Sequence, residues 1–132
     1  EHCAAAANGD LAGAKVLWKP QDCVTVVLAS AGYPASSHKG AVISGLAVAA
    51  ARDDVTVYHA GTALQDGQVV TAGGRVLAVS ALGDGFAAAR TRAYEGVGKI
   101  GFDGMQARPD IAERAVKARA GELDLFPAGF AG

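Results

Sequence analysis

The sequence has little net charge and no long apolar run, and these shortages exclude two classes of partner. Its 12 Lys and Arg residues nearly balance its 13 Asp and Glu residues, which leaves a formal charge of -1. Proteins that bind nucleic acid through phosphates need a broad basic field, and this chain lacks one. No stretch of apolar residues is long enough to cross a bilayer. We therefore expect neither nucleic acid nor a membrane among its partners.

Cysteine is also scarce. Cys3 and Cys23 are the only two, and their spacing matches neither a Cys-x-x-Cys redox motif nor a metal site. The sequence carries no pattern typical of a signal peptide. We expect two reduced thiols in a cytoplasmic protein, with a disulfide between them as the alternative left open.

The common catalytic motifs are missing as well. The sequence has no Gly-x-x-x-x-Gly-Lys phosphate loop, no Gly-x-Ser-x-Gly nucleophile elbow, no His-Glu-x-x-His pair and no carboxylates at metal-binding spacing. We therefore predict no catalytic residue and no metal ligand. Taken alone, the chain has the pattern of a binding or accessory domain.

What is present suits one small domain with a core of Val, Leu and Ile. The chain has 132 residues and a hydrophobic fraction of 51%, to which alanine contributes heavily. It begins without Met, in an Ala-rich stretch that predicts a helix ending at Asn8-Gly9. We expect residues 1–16 to be the remnant of an upstream helix and linker, and the chain to be a piece of a longer protein.

Several stretches predict strands. Residues 23–30 are almost continuously apolar, which favours a strand covered on both faces, and residues 55–59 alternate as a half-buried strand does. Asp66-Gly67 and Gly73-Gly74 are both typical of hairpin turns. We therefore predict an antiparallel meander from residue 55 to residue 82.

Helical spacing dominates the C-terminal third. Apolar residues recur at helical intervals over 86–97, with Gly83-Asp84 as a possible N-cap. Pro109 fits the first position of a final helix that ends near Arg119, and residues 121–132 are expected to form a flexible tail. Residues 47–52 could be a helical turn or an apolar bend. The predicted fold class is α+β, a small antiparallel β-sheet or barrel-like meander packed against C-terminal helices.

Arg75 is the candidate ligand contact. It stands beside Gly73 and Gly74, where its planar fork can reach a phosphate or carboxylate, although a solvated charge on an edge strand has the same pattern. The loop around Tyr33 could close over a polar ligand or simply connect two strands. His59, on a predicted strand, is more often a hydrogen-bonded structural residue than a base.

Seven short motifs follow one another along the chain. In their order and spacing they resemble the C-terminal domain of the phosphoribosylamine-glycine ligase family, and we expect that domain to span residues 17–120. The motifs are Gly32-Tyr33-Pro34, Gly45-Leu46, Tyr58-His59-Ala60-Gly61-Thr62, Val70-Thr71-x-Gly73-Gly74-Arg75-Val76-Leu77, Arg92-Ala93-Tyr94, Phe102-x-Gly104 and Arg108-x-Asp110-Ile111.

This resemblance implies a role within a larger enzyme. Members of the family are ATP-grasp carbon-nitrogen ligases of purine biosynthesis that join glycine to 5-phosphoribosylamine. By this resemblance, the chain forms part of the substrate cleft and is inactive alone. ATP and Mg²⁺ bind mainly outside it, so no cofactor is expected in this fragment.

The same resemblance implies partners and site residues. The partners are the upstream domains of the same ligase and a phosphorylated small-molecule substrate. Arg75 is expected to contact the substrate phosphate, with Gly73, Gly74, Tyr33, His59 and Thr62 around it. The alternative is a stand-alone binding or structural module with the same sheet.

Overall fold

A computed structural model of the chain describes residues 2–123, in which helices and strands alternate irregularly. The predicted tail therefore lies mostly outside the described residues. In chain order the elements are α1 (His2–Ala7), β1 (Asp22–Ala29), α2 (Leu46–Ala50), β2 (Val55–His59), β3 (Thr62–Gln65), β4 (Gln68–Thr71), β5 (Arg75–Gly83), α3 (Phe86–Val97) and α4 (Glu113–Arg119).

Two antiparallel sheets and the helices around them confirm the α+β class. The larger sheet has three strands in the order β1-β5-β2, and the smaller one pairs β3 with β4. Helix α3 packs against β1 and β5 through Ala89 and Ala93. The core between them consists mainly of small and branched side chains, among them Val24, Val26, Leu28, Val55, Val76, Leu77 and Val79. Among residues 2–123, no helix has both the length and the apolar character that a membrane span requires.

The strands between residues 55 and 82 do not form the single consecutive meander that the sequence predicted. Asp66-Gly67 does form the predicted hairpin turn between β3 and β4, with φ angles of 50° and 76°. The predicted hairpin at Gly73-Gly74 is wrong, because β4 and β5 lie in different sheets. The hydrogen bonds of Thr71 explain this, since its backbone and hydroxyl pair with residues 38–41 instead of with β5.

Strand β1 is buried on one face only, so the prediction of two covered faces is wrong. Val24, Val26 and Leu28 are each at most 3% exposed, whereas Val27 on the other face is 42% exposed. Helix α3 covers the buried face, and the described residues leave the other face open at Thr25 and Val27. An apolar run in the sequence indicates that a strand is largely buried. It does not show which face of that strand packs against another element.

The helices lie close to where the sequence predicts them. The two differences are the N-cap of α3 and the first residue of α4. Helix α1 and helix α3 form where they were predicted, and the ambiguous run after Gly45 is the short helix α2. The N-cap of α3 is Gly85, without a side-chain hydrogen bond, and not Asp84.

The last helix starts four residues later than Pro109, so that prediction is wrong. Residues 109–112 form turns, and α4 begins at Glu113 after Ala112, whose φ is 63°. The carbonyl oxygens of Pro109 and Ile111 accept hydrogen bonds from the Arg90 side chain of α3. Because tertiary contacts use these carbonyls, the segment does not need helical hydrogen bonds to satisfy them.

Candidate functional site

An open cavity of about 470 Å³ lies where β1 ends and β5 begins. Its walls include Val27 and Ala29 of β1, Tyr33 of the loop that follows β1, and Arg75 of β5. Arg108 and Ile111, from the segment before α4, form the wall on the far side. The structure therefore brings Arg75 and Tyr33, both predicted from the sequence, into one concave surface.

A change of strand register directs Arg75 toward this cavity. The pairing of β1 with β5 shifts between Leu28 and Ala29, so that Ala29 stands opposite Arg75. Ala29 also exchanges backbone hydrogen bonds of 2.8 and 2.9 Å with Gln106, which ties the far wall to the same strand end. Such irregularities re-aim side chains at the edge of a sheet. Among residues 2–123, the Arg75 guanidinium forms no ion pair or side-chain hydrogen bond, so its fork is available to a ligand.

Gly73 and Gly74 allow their neighbours to pack closely against the backbone. Neither glycine is needed for an unusual backbone angle. A Cβ atom on Gly74 would lie 2.6 Å from Cδ2 of Tyr33, so the tyrosine ring rests directly on this glycine. Neither glycine has a positive φ. The Ser30 backbone N–H donates a 2.9 Å hydrogen bond to the Gly74 carbonyl and so fixes the turn beside β1.

His59 and Thr62 lie outside the walls of the cavity. Nδ1 of His59 is 3.0 Å from the Thr62 hydroxyl, so the two side chains satisfy each other. Between them, the backbone N–H of Gly61 donates a 2.9 Å hydrogen bond to the Arg75 carbonyl. The 59–62 bend thus supports Arg75 from the side and does not face the cavity.

Sequence reasoning missed the wall formed by Arg108 and Ile111. The Arg108 guanidinium binds both carboxylate oxygens of Asp110, at 2.9 and 2.6 Å. This hydrogen-bonded pairing lowers the pKa of the Asp110 carboxyl from its usual value. The Arg108-x-Asp110-Ile111 motif was noted for its resemblance to the ligase family, but its position was predicted as the start of a helix.

A second charged cluster has a structural role. The Asp54 carboxylate pairs with Arg52 at 3.1 Å and with Arg92 of α3 at 3.0 Å, and Arg52 also reaches Glu95 at 2.7 Å. The hydrogen bond from Arg52 is the largest cause of a lowered Asp54 pKa. These pairs join α3 to the turn before β2, at residues that do not line the cavity.

The chemistry of the cavity is that of binding. One unpaired guanidinium, apolar side chains and a phenol line it, which suits a small anion attached to a less polar body. Across residues 2–123, no three His, Cys, Asp or Glu side chains are grouped so that they could hold a metal ion.

These features define a small α+β domain with an open cavity that carries an unpaired arginine. Residues 23–114 match a family model described as the C domain of phosphoribosylglycinamide synthetase. The chain belongs to this family.

Curated relatives agree with the match. The chain is 52% identical over 105 residues to the phosphoribosylamine-glycine ligase of Pseudomonas aeruginosa, which covers 80% of this chain and 24% of that protein. The ligase of Neisseria meningitidis serogroup A is 50% identical over 113 residues, or 85% of this chain and 26% of the relative. The ligase of Streptomyces coelicolor is 48% identical over 117 residues, or 86% and 28%. The chain thus spans about a quarter of the length of these relatives.

A solved structure shows the same fold. The crystal structure of phosphoribosylamine-glycine ligase from Thermotoga maritima superposes with a TM-score of 0.59 and 39% sequence identity. The similarity covers 67% of this chain and 21% of the Thermotoga chain. The fold similarity agrees with the family match. In both, this chain corresponds to one domain of a larger protein.

Proposed function

We propose that the chain is the C-terminal substrate-cleft domain of an ATP-dependent ligase that joins glycine to 5-phosphoribosylamine in purine biosynthesis, in the cytoplasm. The observation that carries this proposal is the placement of Arg75 in the cavity of a domain from this family. The relatives named as this ligase, at about half identity, support the assignment of the activity.

ATP and Mg²⁺ are assigned to the upstream part of the enzyme. In the described part of the chain, the acidic and histidine side chains do not group into a magnesium site, and the sequence has no glycine-rich phosphate loop. The assignment rests on the resemblance to the ligase family, in which ATP and Mg²⁺ bind mainly outside this domain. The activating chemistry belongs to the upstream residues, and this chain contributes binding.

The open face of the larger sheet supports upstream domains as its partner. Val27 is 42% exposed and Tyr58 is 56% exposed, and both belong to strands whose opposite face packs into the core. Relatives about four times longer offer domains that could cover this face.

The role proposed for Arg75 is to hold the phosphate of phosphoribosylamine. Its guanidinium can donate two parallel, charge-assisted hydrogen bonds to phosphate oxygens. Val27 and Ile111 provide apolar surface beside it, against which the body of the substrate can pack. Gly73 and Gly74 leave the space beside Tyr33 that side chains would occupy. His59 and Thr62 act indirectly, by fixing the bend that carries Gly61.

The test is Arg75→Ala in the complete ligase that carries this domain. Loss of a charged hydrogen bond costs about 1.5 to 3 kcal/mol, so the KM for phosphoribosylamine should rise roughly 10- to 100-fold. The KM values for ATP and glycine should stay nearly unchanged. Arg75→Lys keeps the charge without the fork and should recover only part of the affinity.

Arg114→Ala is the matched control. Arg114 is an exposed arginine on α4 that does not line the cavity. A rise of all three KM values in Arg75→Ala, or a lower melting temperature with normal kinetics, would show that Arg75 is a structural residue of the strand.

A further inference from the structure

One wall of the cavity is a strap, residues 108–111, that helix α3 holds from behind. The strap has no regular secondary structure and precedes α4. The Tyr94 hydroxyl of α3 donates a 2.5 Å hydrogen bond to the Arg108 carbonyl and accepts a 3.1 Å hydrogen bond from the Ile111 backbone N–H. One phenol thus joins the two ends of the strap.

Arg90, one turn earlier on α3, holds the same strap. Its Nε donates to the Ile111 carbonyl at 2.9 Å, and its Nη2 donates to the Pro109 carbonyl at 2.6 Å. The Arg90 guanidinium also stacks over the Tyr94 ring, with 4.8 Å between its carbon and the ring centroid. The two side chains therefore support each other as well as the strap.

The strap matters because its two ends face the cavity. Arg108 and Ile111 line the cavity together with Arg75. The only other side-chain hydrogen bonds of the strap, among the described residues, run within it from Arg108 to Asp110. The position of this wall relative to α3 thus depends on Tyr94 and Arg90.

We propose that Tyr94 and Arg90 are positioning residues of the substrate site, which hold the Arg108 and Ile111 wall in place for the phosphorylated substrate. This inference rests on the function proposed for the cavity. Neither side chain lines the cavity, so both act through the backbone of the strap. A purely structural role would lower stability and leave the affinity for substrate unchanged.

The test compares Tyr94→Phe with Ser44→Ala in the complete ligase. Tyr94→Phe keeps the ring under Arg90 but removes both hydrogen bonds to the strap. We expect the KM for phosphoribosylamine to rise roughly three- to tenfold, as for the loss of one or two neutral hydrogen bonds, with kcat and the other KM values nearly unchanged. The hydroxyl of Ser44 donates a 3.0 Å hydrogen bond to the Gly101 carbonyl and does not line the cavity, so its removal should change none of these values.

Hydrogen exchange gives a readout independent of catalysis. The amide of Ile111 loses its acceptor in Tyr94→Phe, so residues 108–112 should exchange faster in this variant than in wild type or Ser44→Ala. Arg90→Lys keeps the charge but lacks the rigid, planar fork whose two nitrogens reach the Pro109 and Ile111 carbonyls. It should therefore raise the KM for phosphoribosylamine and speed exchange of residues 108–112, both in milder form.

The outcomes separate the two proposals. If Arg75→Ala raises the KM for phosphoribosylamine and Tyr94→Phe does not, the positioning role is wrong and the function of the cavity stands. Unchanged exchange of residues 108–112 in Tyr94→Phe would also overturn the positioning role. If Arg75→Ala leaves that KM unchanged, the proposed function of the cavity fails, and the positioning role fails with it.

Discussion

At the scale of single residues, close backbone approach decides which side chains are possible near Arg75. A Cβ atom on Gly61 would lie 2.6 Å from the Arg75 carbonyl oxygen and 2.9 Å from the Gly73 Cα. Both neighbours are backbone atoms in paired segments, so they cannot move aside as the end of a long side chain can. Glycine at position 61 is therefore required by space.

This crowding predicts a loss of stability for Gly61→Ala. Forcing one methyl group into a closely packed site typically costs about 1 to 3 kcal/mol. Denaturant unfolding of the chain should show that loss in the free energy of unfolding. Gly13→Ala is the control, because nothing lies within 4 Å of its added Cβ and its φ is not positive. Equal stability of the two variants would contradict the close approach.

At the scale of elements, β5 is the central strand of the larger sheet and connects it to α3. It pairs with β1 on one side and β2 on the other, and α3 packs across it. The strand begins at Arg75, so the candidate ligand contact is attached directly to the central strand of the core. The ion pairs of Asp54 add a second connection, between α3 and the turn that leads into β2.

The Asp54 cluster predicts a pH-dependent contribution to stability. The folded pKa of Asp54 is lowered, chiefly by the hydrogen bond from Arg52, so the ionised carboxylate favours the folded state. This contribution is fully present above the unfolded Asp pKa of about 3.9 and is lost as the pH falls through the lower folded value.

Asp54→Asn should therefore lower the melting temperature at pH 7, and the difference from wild type should shrink as the pH drops below about 4. Melting curves across pH provide the measurement. Asp103→Asn serves as the control, since Asp103 is exposed and has no ion pair within residues 2–123. A difference that stays constant down to pH 2 would show that charge is not the cause.

At the scale of the whole molecule, the proposed binding cavity lies in a chain about a quarter as long as its curated relatives. Phosphoryl chemistry depends on a metal and positioned cations around ATP. The described residues offer no such metal site, and the relatives are about four times longer.

The purified chain should therefore form no product from ATP, glycine and phosphoribosylamine. Coupled detection of ADP, with the complete Pseudomonas aeruginosa ligase as the positive control, measures this directly. Product formation by the 132-residue chain alone, in proportion to its concentration, would contradict the proposed division of function.

The sequence by itself determined the elements whose signals are local. Helical periodicity located α3 at Phe86–Val97, and Asp66-Gly67 located the β3–β4 turn, because both depend on neighbouring residues. The motifs also indicated the family, and with it Arg75 as the residue to follow. The α+β class followed from these local patterns together with the resemblance to the family.

Only the tertiary structure decided the strand order, the open face of β1 and the far wall of the cavity. Thr71 pairs with the 38–41 loop, and Arg90 and Tyr94 hold the strap at 108–111, across separations of 14 to 33 residues. Such contacts form when distant segments pack, and they take the hydrogen bonds that a hairpin at Gly73-Gly74 or a helix at Pro109 would have used. A local pattern contains no record of that competition, because the competing partner lies elsewhere in the chain.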